Sequence, residues 1–308
     1  MPLPLSYPGL KCVLKNLETV KRAHIIGRSP CLQKIDKLIP RCFENLHIGK
    51  WKLVINKLWI TCNEDEVRFK MNRKTFIRQR AESHEEKMKK LINFFTCGRS
   101  IIPVHRLCWC DSLFTDFLPI DQKFRVNSLY ALFREEFETA LSSIDSRSFP
   151  LKTLVTSPMP STIDSHIAIS AETIILFLAQ TVVTLDNLKK IYNKKVVFQS
   201  LYPFRIEIVL LIKYQIESKK ATGTTLVIAA DDKGFIKKML QKFKKAFGEY
   251  RSTLDGVNER FIPGLPKFSI PINNESRIQV YAIEDPEFFK EDFPYNLIVK
   301  SISEISRI

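Results

Sequence analysis

His105, Cys108 and Cys110 are the nearest approach to a metal cluster in local sequence. On a strand the two cysteines would share a face, and thiolate with imidazole is a zinc donor set. A closed tetrahedral site needs a fourth ligand, and its thiolates commonly stand two residues apart. Neither condition is met locally, so we expect small buried side chains here and no metal. Asp164-Ser165-His166 sets three catalytic residue types side by side, but a triad converges from separate parts of a fold. A turn is the expectation. The other histidines, His24, His47 and His84, are dispersed, and there is no phosphate-binding glycine loop, nucleophile elbow, His-Glu-x-x-His helix or Cys-x-x-Cys pair. With 9 glycines in 308 residues, loops that bring backbone close to phosphates are poorly supplied. The expectation is a chain that is not an enzyme and holds no cofactor.

Charge points toward binding. The formal net charge is +15, which favours acidic partners of some kind. Arg68, Lys70, Arg73, Lys74, Arg78 and Arg80 alternate with Phe69 and Phe76, with no acid between Arg68 and Arg80. Cations meet phosphates while rings stack on bases, so the stretch reads either as a nucleic-acid strip or as a solvated excursion between two elements. A second basic surface is expected on a helix over 232–247, where Phe235, Ile236, Met239, Leu240, Phe243 and Phe247 form one face and Lys233, Lys237, Lys238, Lys242, Lys244 and Lys245 the other.

These residues must be positioned by a mixed α/β fold. Leu5 to Pro40 reads as three short helices, which bury their apolar faces poorly alone and want a partner, in this chain or outside it. Alternation over Leu46 to Cys62 predicts a small β meander. Ser83 and Glu86 make a capping box for a helix that ends at Gly98. Val104 to Cys110 is a strand candidate, Asp111 to Asp121 is turn-rich, and Asn127 to Ile144 reads as a helix. From Leu151 the apolar runs Leu151–Thr156, Thr173–Leu178, Lys195–Gln199 and Thr225–Ala230 return roughly every 20 to 30 residues, the spacing of a leucine-rich-repeat-like strand and helix stack that presents a binding face. Tyr202 to Lys219 is expected as one of its helices, and Ile278–Ile283 and Asn296–Ile302 as closing strands. The expected organisation is a helical segment over 1–45, a mixed connecting region over 46–150, and the stack with its cap strands over 151–308.

Met1 to Pro8 lacks the features of a secretory signal, and the longest apolar run, Thr173 to Leu185, falls short of the roughly 20 residues of a membrane helix. Seven cysteines without a pairing framework fit reduced thiols. An intracellular location, cytoplasmic or nuclear, away from the membrane, is expected.

Leu5-Ser6-Tyr7-Pro8 with Leu10-Lys11-Cys12-Val13-Leu14, the Gly98-Arg99-Ser100 turn, Lys123 to Leu129, Gly223-Thr224-Thr225 and Leu254 to Phe261 together resemble the nematode-expanded F-box C family, which carries a domain of unknown function. The resemblance covers nearly the whole chain. It implies that the first helices form an F-box-like segment docking a Skp1-like adaptor through Pro8, Leu10, Val13, Leu14 and Leu17, while the remainder captures an unknown protein target for a cullin-type ubiquitin ligase. The pattern departs from an ordinary F-box: Tyr7-Pro8 stands where Leu-Pro is usual, and the third helix lacks a tryptophan. The expected function is therefore a non-catalytic protein-interaction module acting as a substrate-recognition adaptor, with a basic nucleic-acid-binding protein as the alternative.

Overall fold

The computed structural model describes residues 7–96, 98–110, 118, 121–178, 182–199, 205–219, 223–254, 257–284 and 293–303. The chain is mixed α/β and divides into two compact units, Met1–Leu151 and Lys152–Ile308. The expected segments 1–45 and 46–150 both fall in the first unit, and a strand, Phe43–Gly49, runs across the 45/46 junction.

The first unit opens with α1 (Tyr7–Asn16), α2 (Thr19–Arg28) and α3 (Pro30–Lys37). Glu18 caps α2 by accepting from the amides of Val20 and Lys21, and Pro30 starts α3, where its missing N–H costs nothing. Leu14, Ile26 and Ile39 form a small core with Leu10, Leu17, Leu32 and Ile35 packed on it. The three helices thus satisfy much of their apolar surface within this chain.

A charged knot holds them. Asp36 is 1% exposed and receives Arg22 Nε at 2.6 Å, Arg41 Nη2 at 2.9 Å and Arg99 Nη2 at 2.8 Å. Arg22 also donates to the carbonyls of Asp36, Ile39 and Pro40, and Arg41 to that of Phe95. Burial alone would push the Asp36 carboxyl upward; the hydrogen bond from Arg99, the charge of Arg41 and the bond from Arg22 overcome it and hold the group below its ordinary value. Arg22 moves the other way for a cation, lowered by burial and by Arg41 and Arg99, because one carboxylate is shared among three guanidiniums.

Beyond the knot, β1 (Phe43–Gly49), β2 (Lys52–Ile55), β3 (Leu58–Cys62), β4 (Glu66–Met71) and β5 (Lys74–Gln79) form an antiparallel meander that extends the expected one by a hairpin. Helix α4 (His84–Thr96) follows, with the Ser83 hydroxyl accepting from the amide of Glu86 and Gly98 at φ +66° just past its end. Strands β6 (Ile101–Cys110) and β7 (Lys123–Tyr130) then add in parallel on the other side of β1, giving the order β7-β6-β1-β2-β3-β4-β5. The helix expected over Asn127 to Ile144 starts only at α5 (Arg134–Ser142). Phe124, Val126 and Leu129 are buried in a strand beside β6, and Glu136 caps α5 by accepting from the amides of Leu132 and Phe133. The turn-rich stretch Asp111 to Asp121 lies outside the described residues apart from Leu118 and Asp121.

In the second unit the four apolar runs are β8 (Thr153–Thr156), β9 (Thr173–Phe177), β11 (Lys195–Gln199) and β13 (Thr225–Ala230), parallel and adjacent in chain order. Between them lie α6 (Pro160–Ile163), α7 (His166–Ser170), β10 (Val182–Val183), α8 (Leu185–Lys189), β12 (Arg205–Ile206) and α9 (Ile208–Ser218). The helix expected from Tyr202 therefore begins at Ile208, after the short β10–β12 pairing. Helix α10 (Lys233–Phe247) packs on β13, and β14 (Phe268–Pro271), β15 (Ser276–Glu284) and β16 (Tyr295–Ser303) close the sheet, with β16 antiparallel to β13. Strands β9, β11 and β13 are buried on both faces, as their continuous β-branched and aliphatic runs require. Ile175, Val197, Val227 and Ala229 pack against Leu254, Tyr281, Phe293 and Ile298. This chain's own Leu254 and Phe293 thus cover part of that strand face, and a hollow of about 400 Å³ stays open beside it at Thr173, Lys195, Thr225 and Lys300.

Replacing Asp36 by Asn removes the carboxylate that three buried or half-buried guanidiniums share and should cost about 3–5 kcal/mol in urea unfolding. Because the folded pKa is lowered, the carboxylate's contribution is complete above its unfolded value of about 3.9 and is lost as pH falls through the lower folded value. The Asp36→Asn chain should lose that part of the acid sensitivity, and an acid unfolding profile identical to wild type would contradict the assignment.

Candidate functional site

The basic stretch is a two-residue hairpin at the end of the first unit's sheet. Asn72 and Arg73 both take positive φ, +48° and +67°, the geometry whose twist matches the flanking strands. The register pairs Val67 with Arg78, Phe69 with Phe76 and Met71 with Lys74. Strand alternation puts these six on one face and Arg68, Lys70, Thr75 and Ile77 on the other. Strand β5 is the terminal strand, and all six of its residues are exposed. Phe69 and Phe76 stack at 4.8 Å with their planes 6° apart, leaving Phe76 47% exposed.

A groove runs between this hairpin and the helices beside it. Two adjoining hollows of about 260 and 360 Å³ share Phe69, Arg78, Leu91 and Phe94; the first also meets His24, Gly27 and Arg28 of α2, and the second Arg80, Glu82 and Lys90. Gly27 makes the walls possible, since a Cβ there would lie 2.7 Å from the Phe94 ring. His24 is pushed below the ordinary imidazole value by burial, then by Arg28 and Arg78, so the fixed cations of the groove are arginine and lysine. Glu82 is held low by its 2.8 Å bond from Lys90, and Arg68 pairs with Glu66 at 2.9 Å. The arrangement suits an extended acidic segment: apolar side chains against the aromatic floor, carboxylates toward Arg78 and Arg80, and backbone against a free strand edge.

The other expected site residues are dispersed. Of the five positions for adaptor docking, Leu14 is 1% exposed, Leu10 and Leu17 are half-buried on the same core, and only Pro8 and Val13 face outward. His105 is on the opposite face of β6 from Cys108 and Cys110, with its Nδ1 3.0 Å from the Asn127 amide nitrogen. Ser165 is spent on a cap: its hydroxyl donates to the Thr162 carbonyl and accepts from the Ala168 amide, while Asp164 pairs with Lys190 at 3.1 Å. The lysine face of α10 is exposed, and Asp232 caps that helix. The edge position of β5 and the helix walls of the groove escaped sequence reasoning; the Phe69, Phe76 and Arg78 alternation was the signal for a strand.

A protein-family model described as a domain of unknown function, DUF3557, matches residues 83–231. The chain is similar to that family over α4 to the start of the loop after β13, a stretch that begins just after the hairpin. No curated protein and no solved structure matches the chain. No helix among the described residues is long and apolar enough to cross a membrane.

The inward and outward sides of α1 separate in stability. Leu14→Ala should cost about 2–5 kcal/mol in chemical unfolding, whereas Val13→Ala, at a 44% exposed position, should stay within about 0.5 kcal/mol. Equal losses would show that α1 is not packed as described.

Proposed function

We propose that the chain is a non-catalytic protein-interaction module whose basic hairpin, β4–β5, captures an acidic extended segment of a target protein. The observation that carries this reading is an edge strand exposed along its whole length, set beside a cationic, aromatic groove. Edge strands left open invite pairing by another chain. The face-to-face contact of Phe69 with Phe76 favours peptide over nucleic acid, because the two rings already stack on each other and leave no splayed pair to receive bases.

The test is fluorescence anisotropy of the full chain with a labelled peptide of alternating valine and glutamate, run beside single-stranded RNA and duplex DNA of matched length. The peptide should bind, more weakly as salt rises, and a Lys74→Glu, Arg78→Glu double variant should lose at least about tenfold in affinity. No peptide binding at low ionic strength overturns the reading. Tighter binding of RNA or DNA, lost in the same variant, replaces it with the nucleic-acid alternative.

The adaptor role is supported by the outward side of α1, where Tyr7, Pro8 and Val13 are exposed. In that role these residues meet a Skp1-like protein and the hairpin holds the target. The chain-order parallel strands of the second unit support its leucine-rich-repeat-like character, although Leu254 and Phe293 cover part of its strand face. The six described cysteines, none of them in a disulfide, fit a reducing cytoplasmic or nuclear setting. Tagged full-length chain should bring down Skp1 and cullin, and Val13→Asp should abolish that recovery while leaving thermal unfolding unchanged. Failure of the wild-type chain, with a known F-box protein succeeding in parallel, removes the adaptor role and leaves peptide capture to its own assay.

A further inference from the structure

We propose that His47, Cys108 and Cys110 form a binding site for one zinc ion and supply three of its ligands. The ligand atoms of these three residues all lie within 4.8 Å of one another, and each residue is half-buried. The sulfurs are 3.4 Å apart. Ligands at about 2.0–2.3 Å around a tetrahedral ion stand at separations of this order.

The fold assembles the set in a way that local sequence does not show. Strand β1 pairs with β6 in parallel, with His47 beside Cys108 and Gly49 beside Cys110. Alternation then turns His47, Cys108 and Cys110 to the same face. Gly49 leaves the space in which they converge: a Cβ there would lie 3.3 Å from His47 Nε2 and 3.8 Å from Cys110 Cβ. The cluster also stands at the carboxyl ends of β1 and β6, the end at which open α/β sheets hold their ligands.

The donor set selects the ion. Two thiolates and an imidazole suit zinc and other thiophilic ions and exclude calcium and magnesium, which take oxygen ligands. A Cys108–Cys110 disulfide is disfavoured, because residues two apart on a strand have Cα atoms about 6.6 Å apart, near the upper limit for a bridge. On binding, each thiol releases its proton to solvent and both sulfurs bond the ion, so one zinc displaces two protons.

The test uses full-length chain, reduced and stripped of metal, titrated with cobalt as a spectroscopic stand-in and then with zinc. One cobalt per chain should give thiolate-to-metal charge transfer, and one equivalent of zinc should displace it. Cys108→Ser and Cys110→Ser should each weaken binding at least about 100-fold, more than a change outside the ligand set costs, and His105→Ala should leave it unchanged. On the unaltered chain, one equivalent of zinc should slow alkylation of Cys108 and Cys110 at least about tenfold by mass spectrometry, while exposed Cys12 and Cys31 still react. Less than one cobalt per chain, full binding in either serine variant, or unchanged alkylation of Cys108 and Cys110 overturns the proposal.

Discussion

Asp36 is the point on which the first unit turns. Its carboxylate joins α2 through Arg22, the link into β1 through Arg41, and the turn after α4 through Arg99, and the same arginines occupy carbonyls of Asp36, Ile39, Pro40 and Phe95. A buried ion group is weak evidence for net stability, since desolvation opposes the attraction. Its geometric effect is stronger: removing the anion leaves cations that cannot be resolvated without opening the helices. The knot therefore sets where α2 and α4 stand, and these are two walls of the groove that the hairpin completes.

Two glycines matter in a chain that has few. Gly27 lets α2 approach Phe94, and Gly49 leaves room in front of His47. Neither takes a positive φ, so both are explained by the atoms a side chain would meet. The two locations serve opposite faces of one sheet. Cys62 on β3 meets Met88 of α4 on one face, while Lys52 lies 3.9 Å over Trp59 on the other, the side that carries His47 and the cysteines. The hairpin can bind through its α4 face without occluding the thiol cluster.

The second unit follows a different constraint. Its parallel strands carry apolar side chains on both faces, so both must be covered. Phe243 of α10 meets Phe268 of β14 on one side, and Leu254, Tyr281 and Phe293 cover Val197 and Val227 on the other. Burial pushes the Tyr281 hydroxyl up to about 12, with Glu259 adding to the effect, consistent with a ring committed to this core. The lysine face of α10 stays exposed, a solvated helix surface with its acidic cap at the N-terminal end.

Local pattern alone determined much of this protein. Period-two alternation marked β1 to β3, continuous β-branched runs marked β9, β11 and β13, and Ser83, Glu86 and Gly98 marked the ends of α4, because these signals act between residues close in the chain. The same logic read Asp164-Ser165-His166 as a turn. It misjudged Asn127 to Ile144, where pairing with β6 holds Lys123 to Tyr130 extended despite side chains that also suit a helix. Tertiary structure decided which side of α1 is spent on Leu14, Ile26 and Ile39, that Leu254 and Phe293 cover part of the second unit's strand face, and that the basic stretch is an open sheet edge. It also replaced His105 by His47 beside the two cysteines. Which residue stands across a parallel pairing depends on register, and register is set by packing over the whole sheet rather than by spacing along the chain.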